Sequence, residues 1–286
     1  MNCFIKKIFL FLIPIMILLF IFIGIYVYKS IVVNDNIRKI AQNKILIMGD
    51  SQMQRLLPEC FDDKTFNFAS SGEHYYFTYC KLSSLLQIND YKIEKIILGI
   101  SAHNFAPVYS KLFDLTTGEG EKSLKSYLYF VDLKNTNFIS SSDYFSKVMC
   151  EAVIKSPDWG GVIRSNARFP SDSVINISLK MHYSNSKFLV NSFRNQMYYL
   201  EKISELCKSK SVDLYLVSTP YHSVYTKNVS NEYFIMLSTA LSKLKFDHYT
   251  NFINQYNDSV MADGNHLNYI GAKLISQRIN TILPND

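Results

Sequence analysis

The sequence predicts an α/β fold built on a mostly parallel sheet, and three observations carry that prediction. Short apolar runs such as Lys44–Met48, Lys95–Leu98 and Val212–Val217 recur along the chain without strict alternation, as expected of strands buried on both faces. Between them lie longer stretches with apolar residues at helical spacing. Each run ends in a turn rich in Gly, Ser, Asn, Asp or Pro.

The elements follow in order. Lys44–Met48 reads as a first strand, closed by Gly49, and Gln52–Leu57 as the opening of a helix. Thr65–Ala69 is a short second strand, ended by Ser70-Ser-Gly72. Over Tyr75–Leu86 the residues Tyr75, Tyr76, Tyr79, Leu82, Leu85 and Leu86 trace a helical stripe. A third strand at Lys95–Leu98 ends at Gly99. Lys187–Lys208 is a long amphipathic helix, and Val212–Val217 is a fourth strand ended by Thr219-Pro220. Asn231–Leu244 is helical, Phe246–Thr250 is a fifth short strand, and Tyr269–Leu283 is the closing helix. Strands alternating with helices argue for a sheet covered on both faces. Residues of about 105–186 exceed any plain loop in a compact domain and read as an insertion with helices of its own.

The N-terminus is of another kind. Ile8 to Tyr28 forms an apolar stretch long enough to span a bilayer, with Lys6 and Lys7 before it and Lys29 after it. No small-x-small cleavage pattern or lipobox cysteine follows. The expected organisation is a signal anchor over residues 1–29, a linker over 30–43 and one domain over 44–286. The expected location is a bacterial cytoplasmic membrane, crossed once, with the C-terminal domain outside. The lipid bilayer is then a partner through residues 8–28.

Of 286 residues, 30 are Lys or Arg and 24 Asp or Glu, for a net charge of +6. The basic residues are scattered, which argues against a nucleic-acid partner. Cys3, Cys60, Cys80, Cys150 and Cys207 form no CxxC pair, so a cysteine metal site is not expected. No Gly-rich phosphate loop is present, which disfavours nucleotide binding.

In open parallel sheets, ligands sit beyond the carboxyl ends of the strands. Five polar segments fall there: Gly49-Asp-Ser51, Ser70-Ser-Gly72, Gly99-Ile-Ser-Ala-His-Asn104, Thr219-Pro-Tyr-His222 and Asp263-Gly-Asn-His266. A serine hydroxyl needs an adjacent base to act as a nucleophile, and histidine has the suitable proton affinity. Ser51 at a strand-to-helix turn is the candidate nucleophile, His266 the base, and Asp263 the group that orients the imidazole. The amides of Ser51 and Gly72 and the side chain of Asn104 are candidate donors to an oxyanion. Ser101, His103 and His222 are candidate substrate contacts. Asp50 reads as a structural partner within its turn.

This order of segments resembles the SGNH (GDSL-like) hydrolase and acyltransferase superfamily. The resemblance rests on Gly49-Asp50-Ser51, Gly72 and Asp263-x-x-His266, and spans about residues 44–104 and 187–283. The third block departs from the family: the expected Asn position holds Ser101, with His103 and Asn104 following. Asn104 from a shifted turn, Ser101 itself, or no third donor are the alternatives. The anchor and the Gly-Ile-Ser-x-His-Asn stretch are similar to an envelope branch that includes polysaccharide O-acetyltransferases and D-alanine-transfer proteins. The resemblance implies a flavodoxin-like three-layer fold, ester chemistry, and no metal or other cofactor. It implies an acylated glycan or acyl donor as partner, with a membrane acyl-transfer protein as a further one. The expected function is a membrane-anchored serine esterase or O-acyltransferase, acetyl being the usual group, acting on a cell-envelope or extracellular polysaccharide. The rival expectation is an inactive glycan-binding or envelope-assembly protein on the same fold.

Overall fold

Ile45-Leu-Ile-Met48 shows why the sheet needs cover on both sides. All four side chains are buried, and they alternate between two cores. Leu46 and Met48 join one cluster; Ile45 and Ile47 join the other. The computed structural model describes residues 2–113, 118–131, 156–167, 170–184 and 189–284.

Five strands form one sheet: β1 (Ile45–Met48), β2 (Thr65–Asn67), β3 (Lys95–Gly99), β4 (Asp213–Ser218) and β5 (His248–Asn251). Their order is β2-β1-β3-β4-β5 and every pairing is parallel, with Ile47 opposite Ile97 and Ile97 opposite Tyr215. This is the flavodoxin-like order, and the chain reverses direction across the sheet between β1 and β3. The carboxyl ends of all five strands therefore form one rim, with Ser51 at the switch point.

Nine α-helices lie among the described residues: α1 (Asn2–Ala41), α2 (Tyr75–Leu86), α3 (Val108–Phe113), α4 (Gly118–Tyr127), α5 (Asp172–Tyr183), α6 (Leu189–Ser209), α7 (Ser223–Asn228), α8 (Asn231–Lys243) and α9 (Tyr269–Asn280). α1, α2, α6 and α8 supply the larger core, where Leu82, Leu85, Leu200, Ile203 and Leu237 meet Leu98 and Leu216. α9 covers the opposite face with Ala272, Ile275 and Ile279 on Ile47, Ile97 and Val217.

Two segments differ from the sequence expectation. The predicted helix at Gln52–Leu57 is two single turns of 3-10 helix, Met53–Arg55 and Pro58–Cys60, because Pro58 has no amide hydrogen to continue the first. The expected linker at 30–43 is mostly helix: α1 continues unbroken to Ala41, and Val33, Ile37, Ile40 and Ala41 bury one stripe against the domain. The stretch Leu10–Ala41 contains a span long and apolar enough to cross a membrane. The expected insertion at 105–186 holds α3, α4 and α5; its residues 114–117, 132–155, 168–169 and 185–186 lie outside the described ones.

Candidate active site

The turn after β1 is built to project one side chain. Gly49 takes φ +122°, a region that favours glycine, and a Cβ there would meet Met53 Cγ at 3.1 Å and the Gly99 nitrogen at 3.3 Å. Asp50 closes the turn, its Oδ1 accepting from the Gln52 amide at 3.0 Å and its carbonyl accepting from the amides of Met53 and Gln54. Ser51, between them, is left half-buried at the rim.

The loop after Met261 brings the partner groups. Ala262 donates to the His266 carbonyl at 2.8 Å, closing a tight loop. Inside it, Asp263 Oδ1 accepts from the amides of Asn265 and His266 at 3.0 and 2.9 Å. Asn268 then caps α9, its side-chain oxygen accepting from Gly271 at 3.0 Å. The His266 ring lies between two partners. Its Nδ1 donates to Asp263 at 2.8 Å, and its Nε2 accepts from Ser51 Oγ at 2.7 Å. The carboxylate fixes that tautomer, leaving Nε2 as the acceptor. Burial opposes the charge on Asp263, but the His266 ring and the two loop amides outweigh it and hold its pKa below the ordinary value.

The second loop lies against the first. Ser70 donates its amide to the Gly49 carbonyl at 3.0 Å, and Gly72 takes φ +66°. Beneath it lies a buried ion pair. Lys81 Nζ, wholly enclosed, donates to Glu73 Oε2 at 2.5 Å, to the Phe68 carbonyl at 2.6 Å and to Ser70 Oγ at 3.0 Å. Burial pushes the Glu73 pKa up, opposed by Lys81 and Thr78. Among the described residues, no acceptor takes the amides of Ser51 or Gly72. Both amides are thus open to an acceptor.

The third block corrects the sequence expectation. Asp50 is buried and its Oδ2 accepts from three side chains: His103 Nε2 at 2.6 Å, Asn104 Nδ2 at 2.7 Å and Tyr109 hydroxyl at 2.5 Å. Burial raises its pKa, but these donors and the Gln52 amide prevail and hold it well below the usual carboxylate range. Asn104, expected to donate to an oxyanion, instead donates inward to Asp50 and accepts from the Ser101 amide at 2.7 Å. His103, expected to face substrate, is 1% exposed and held between Asp50 and the Tyr221 hydroxyl. Ser101, equally buried, donates to Gln52 Oε1 at 3.0 Å. A buried carboxylate requires several donors, and the third block supplies them. His222 caps α7, its Nδ1 accepting from the Val224 amide at 3.2 Å, with Nε2 3.5 Å from Asp258.

Two residues that sequence reasoning did not select matter here. Gln52 is buried and joins three rim loops to the Ser51 turn. It donates to the Asn265 carbonyl at 2.9 Å and accepts from Ser101 Oγ and Thr219 Oγ1, each at 3.0 Å. Only its position beside Ser51 signalled it. His182, from α5, places its ring 5.6 Å from His103 and pairs Nδ1 with the Tyr225 hydroxyl at 2.6 Å. Burial first, then the neighbouring His103 and His266, lower its pKa to about 3. No local pattern placed this helix beside the rim. Among the described residues, no cluster of three or more His, Cys, Asp or Glu side chains is arranged to hold a metal ion.

No family model matches the chain, and no curated protein matches it. Among solved structures, a Streptococcus pneumonia chain provisionally described as a platelet activating factor is similar over 90% of this chain and 94% of its own, at 12% identity and a TM-score of 0.44.

Proposed function

We propose that this chain is a membrane-anchored serine esterase or O-acyltransferase in which Ser51 takes up an acyl group, with acetyl as the expected one. The observation that carries the reading is the continuous relay Ser51–His266–Asp263, at 2.7 and 2.8 Å, on the rim where parallel sheets bind ligands. As Ser51 Oγ attacks an ester carbonyl, its proton passes to His266 Nε2, and Asp263 stabilises the imidazolium. The amides of Ser51 and Gly72 receive the developing oxyanion. The tetrahedral centre collapses, the C–O bond to the leaving alcohol breaks, and that alcohol takes the proton from His266. In the second half, water or a sugar hydroxyl gives its proton to His266 and attacks the acyl carbon; the Ser51 Oγ–acyl bond breaks and Oγ takes that proton back from His266. The proposed acceptor class is a cell-envelope polysaccharide, in keeping with the apolar anchor and the family resemblance.

A binding-only role is the weaker reading, because nothing in simple glycan binding requires a serine hydroxyl aligned with an oriented imidazole. The test is labelling of the full chain in detergent with a fluorophosphonate. Labelling of the wild type, lost in Ser51→Ala and His266→Ala, is the expected result. Equal labelling of wild type and Ser51→Ala, or none in folded protein, overturns the proposal.

A further inference from the structure

The direction in which α1 leaves the domain bears on where Ser51 faces. Its C-terminal end is at the base of the sheet, where the strands begin: the Ala41 carbonyl accepts from Lys92 at 2.7 Å, and β1 starts four residues later. Going back along α1, Tyr26 stacks on Tyr129 with ring centroids 6.3 Å apart. Tyr129 lies in the turn after α4, beside α2, where it lines a groove with Asn34, Ser84 and Gln87. In that turn Tyr127 donates to Glu73 at 3.3 Å, and Phe130 packs edge-on against Phe68, just past the end of β2. α1 thus runs up the domain from its base beside α2, and its exposed apolar part, from Leu10 to Val32, continues on the side away from the base.

The 15 residues from Tyr26 to Ala41 rise about 22 Å in a helix. β1, from Ile45 to Met48, rises about 10 Å in extended chain, and the turn that carries Ser51 follows its end. Ser51 and the apolar part of α1 therefore both lie away from the base. Tyr26, Tyr28 and Lys29 end the apolar run, where aromatic and basic side chains mark a membrane–water interface.

A second observation is independent of α1. On α5, Val174, Ile177 and Met181 form an exposed apolar stripe at helical spacing, Ile177 being 60% and Met181 65% exposed. The opposite face of α5 is buried through Ile175, and His182 beside the stripe reaches the cluster around His103. Ile163, Tyr269 and Ile270 add exposed apolar surface on the same rim: Ile163 donates to Gln54 in the Ser51 turn, and Tyr269 opens α9 just after His266. At the base, where Lys208, Ser211, Lys245 and Asp247 line an open polar groove, no large apolar side chain is exposed among the described residues. Uncovered apolar surface concentrated at one end of a domain marks a contact site.

We propose that the rim carrying Ser51 lies against the lipid bilayer, so that the acyl donor reaches Ser51 from the headgroup layer. The α5 stripe enters the interface as an amphipathic helix does. The donor assignment rests on the acyl-transfer reading above; the orientation does not.

Trp159 is the single tryptophan of the chain, which makes the orientation measurable. In a Trp159→Phe background, Ile177→Trp and, separately, Ile270→Trp report the rim, and Lys245→Trp reports the base. The full-length variants are placed in phosphatidylcholine–phosphatidylglycerol vesicles with and without bromine on the acyl chains. An interfacial apolar face lies ~5–10 Å deep, so both rim tryptophans are expected to lose about half or more of their emission while the base tryptophan loses almost none. Weak and equal quenching at all three positions overturns the proposal, as does quenching confined to the base. Fluorophosphonate labelling of the same variants separates the two readings. Labelled Ser51 with unquenched rim tryptophans refutes the orientation and leaves acyl transfer standing. Quenched rim tryptophans without labelling support the orientation and refute the donor assignment.

Discussion

Replacing Gln52 with alanine removes a side chain that joins three rim loops to the Ser51 turn. Three buried hydrogen bonds disappear together: to the Asn265 carbonyl, from Ser101 Oγ and from Thr219 Oγ1. At about 1 kcal/mol net each, the expected loss of stability is about 3 kcal/mol, and more where the stranded Ser101 hydroxyl finds no water. For a domain of this size that lowers the Tm by about 6–12 °C. The functional effect is separate. The Asn265 carbonyl lies in the loop that carries Asp263 and His266, so losing its donor frees that loop relative to Ser51. A misplacement of about 1 Å costs on the order of 10²-fold in rate. Differential scanning fluorimetry in detergent reads the first effect, and the rate of fluorophosphonate labelling reads the second. Gln52→Glu divides them: it still accepts from Ser101 and Thr219 but sets a carboxylate against the Asn265 carbonyl. It should recover part of the Tm and none of the labelling rate. If Gln52→Ala keeps its Tm within about 1 °C and labels at the wild-type rate, Gln52 does not position the His266 loop.

Three other outcomes follow from the same geometry. Lys81→Met leaves Glu73 buried without its cation and should cost about 3–5 kcal/mol in denaturant unfolding, with most of it recovered in the Lys81→Met, Glu73→Gln double variant. A Cβ at Gly264 would meet Tyr225 Cδ2 at 2.5 Å, so Gly264→Ala should destabilise by about 1–3 kcal/mol and slow Ser51 labelling by shifting the His266 loop. Burial lowers the pKa of His74, which caps α2 through Nδ1, to about 3. The unfolded chain binds that proton near the ordinary value of 6.5 and the folded chain does not, so stability should fall as pH drops from 6.5 toward 3. The slope is up to about 1.4 kcal/mol per pH unit, and His74→Asn, which keeps a cap, should make it shallower in denaturant titrations at pH 7, 5 and 4.

Much of the fold is local in origin and could be read locally. Apolar runs of four to six residues bounded by turn residues marked β1, β3 and β4, and helical stripes marked α2 and α8. Gly49-Asp-Ser51 and Asp263-x-x-His266 were legible because each is a self-contained turn: Asp50 caps its own loop and Asp263 caps the amides two and three residues on. The third block was misread for the opposite reason. Asn104, Ser101 and His103 have the right chemistry to face a substrate, and nothing near them in sequence says that Asp50, about 50 residues earlier, takes the donors of His103 and Asn104 while Gln52 takes that of Ser101.

The amino-acid sequence by itself determined the parallel α/β class, the apolar N-terminal segment, and the serine, histidine and aspartate now in line on the rim. Periodicity, turn chemistry and spacing are properties of neighbouring residues. Only the tertiary structure decided which polar groups are free to act. Burying Asp50 required donors, and it drew in His103, Asn104 and Tyr109. Gln52 became the tie between loops because three orphan groups converge on it. The continuation of α1 along the domain likewise set where the apolar anchor lies relative to the sheet. Each of these is a matter of satisfying hydrogen bonds and burying surface between segments far apart in the chain, and no local pattern records it.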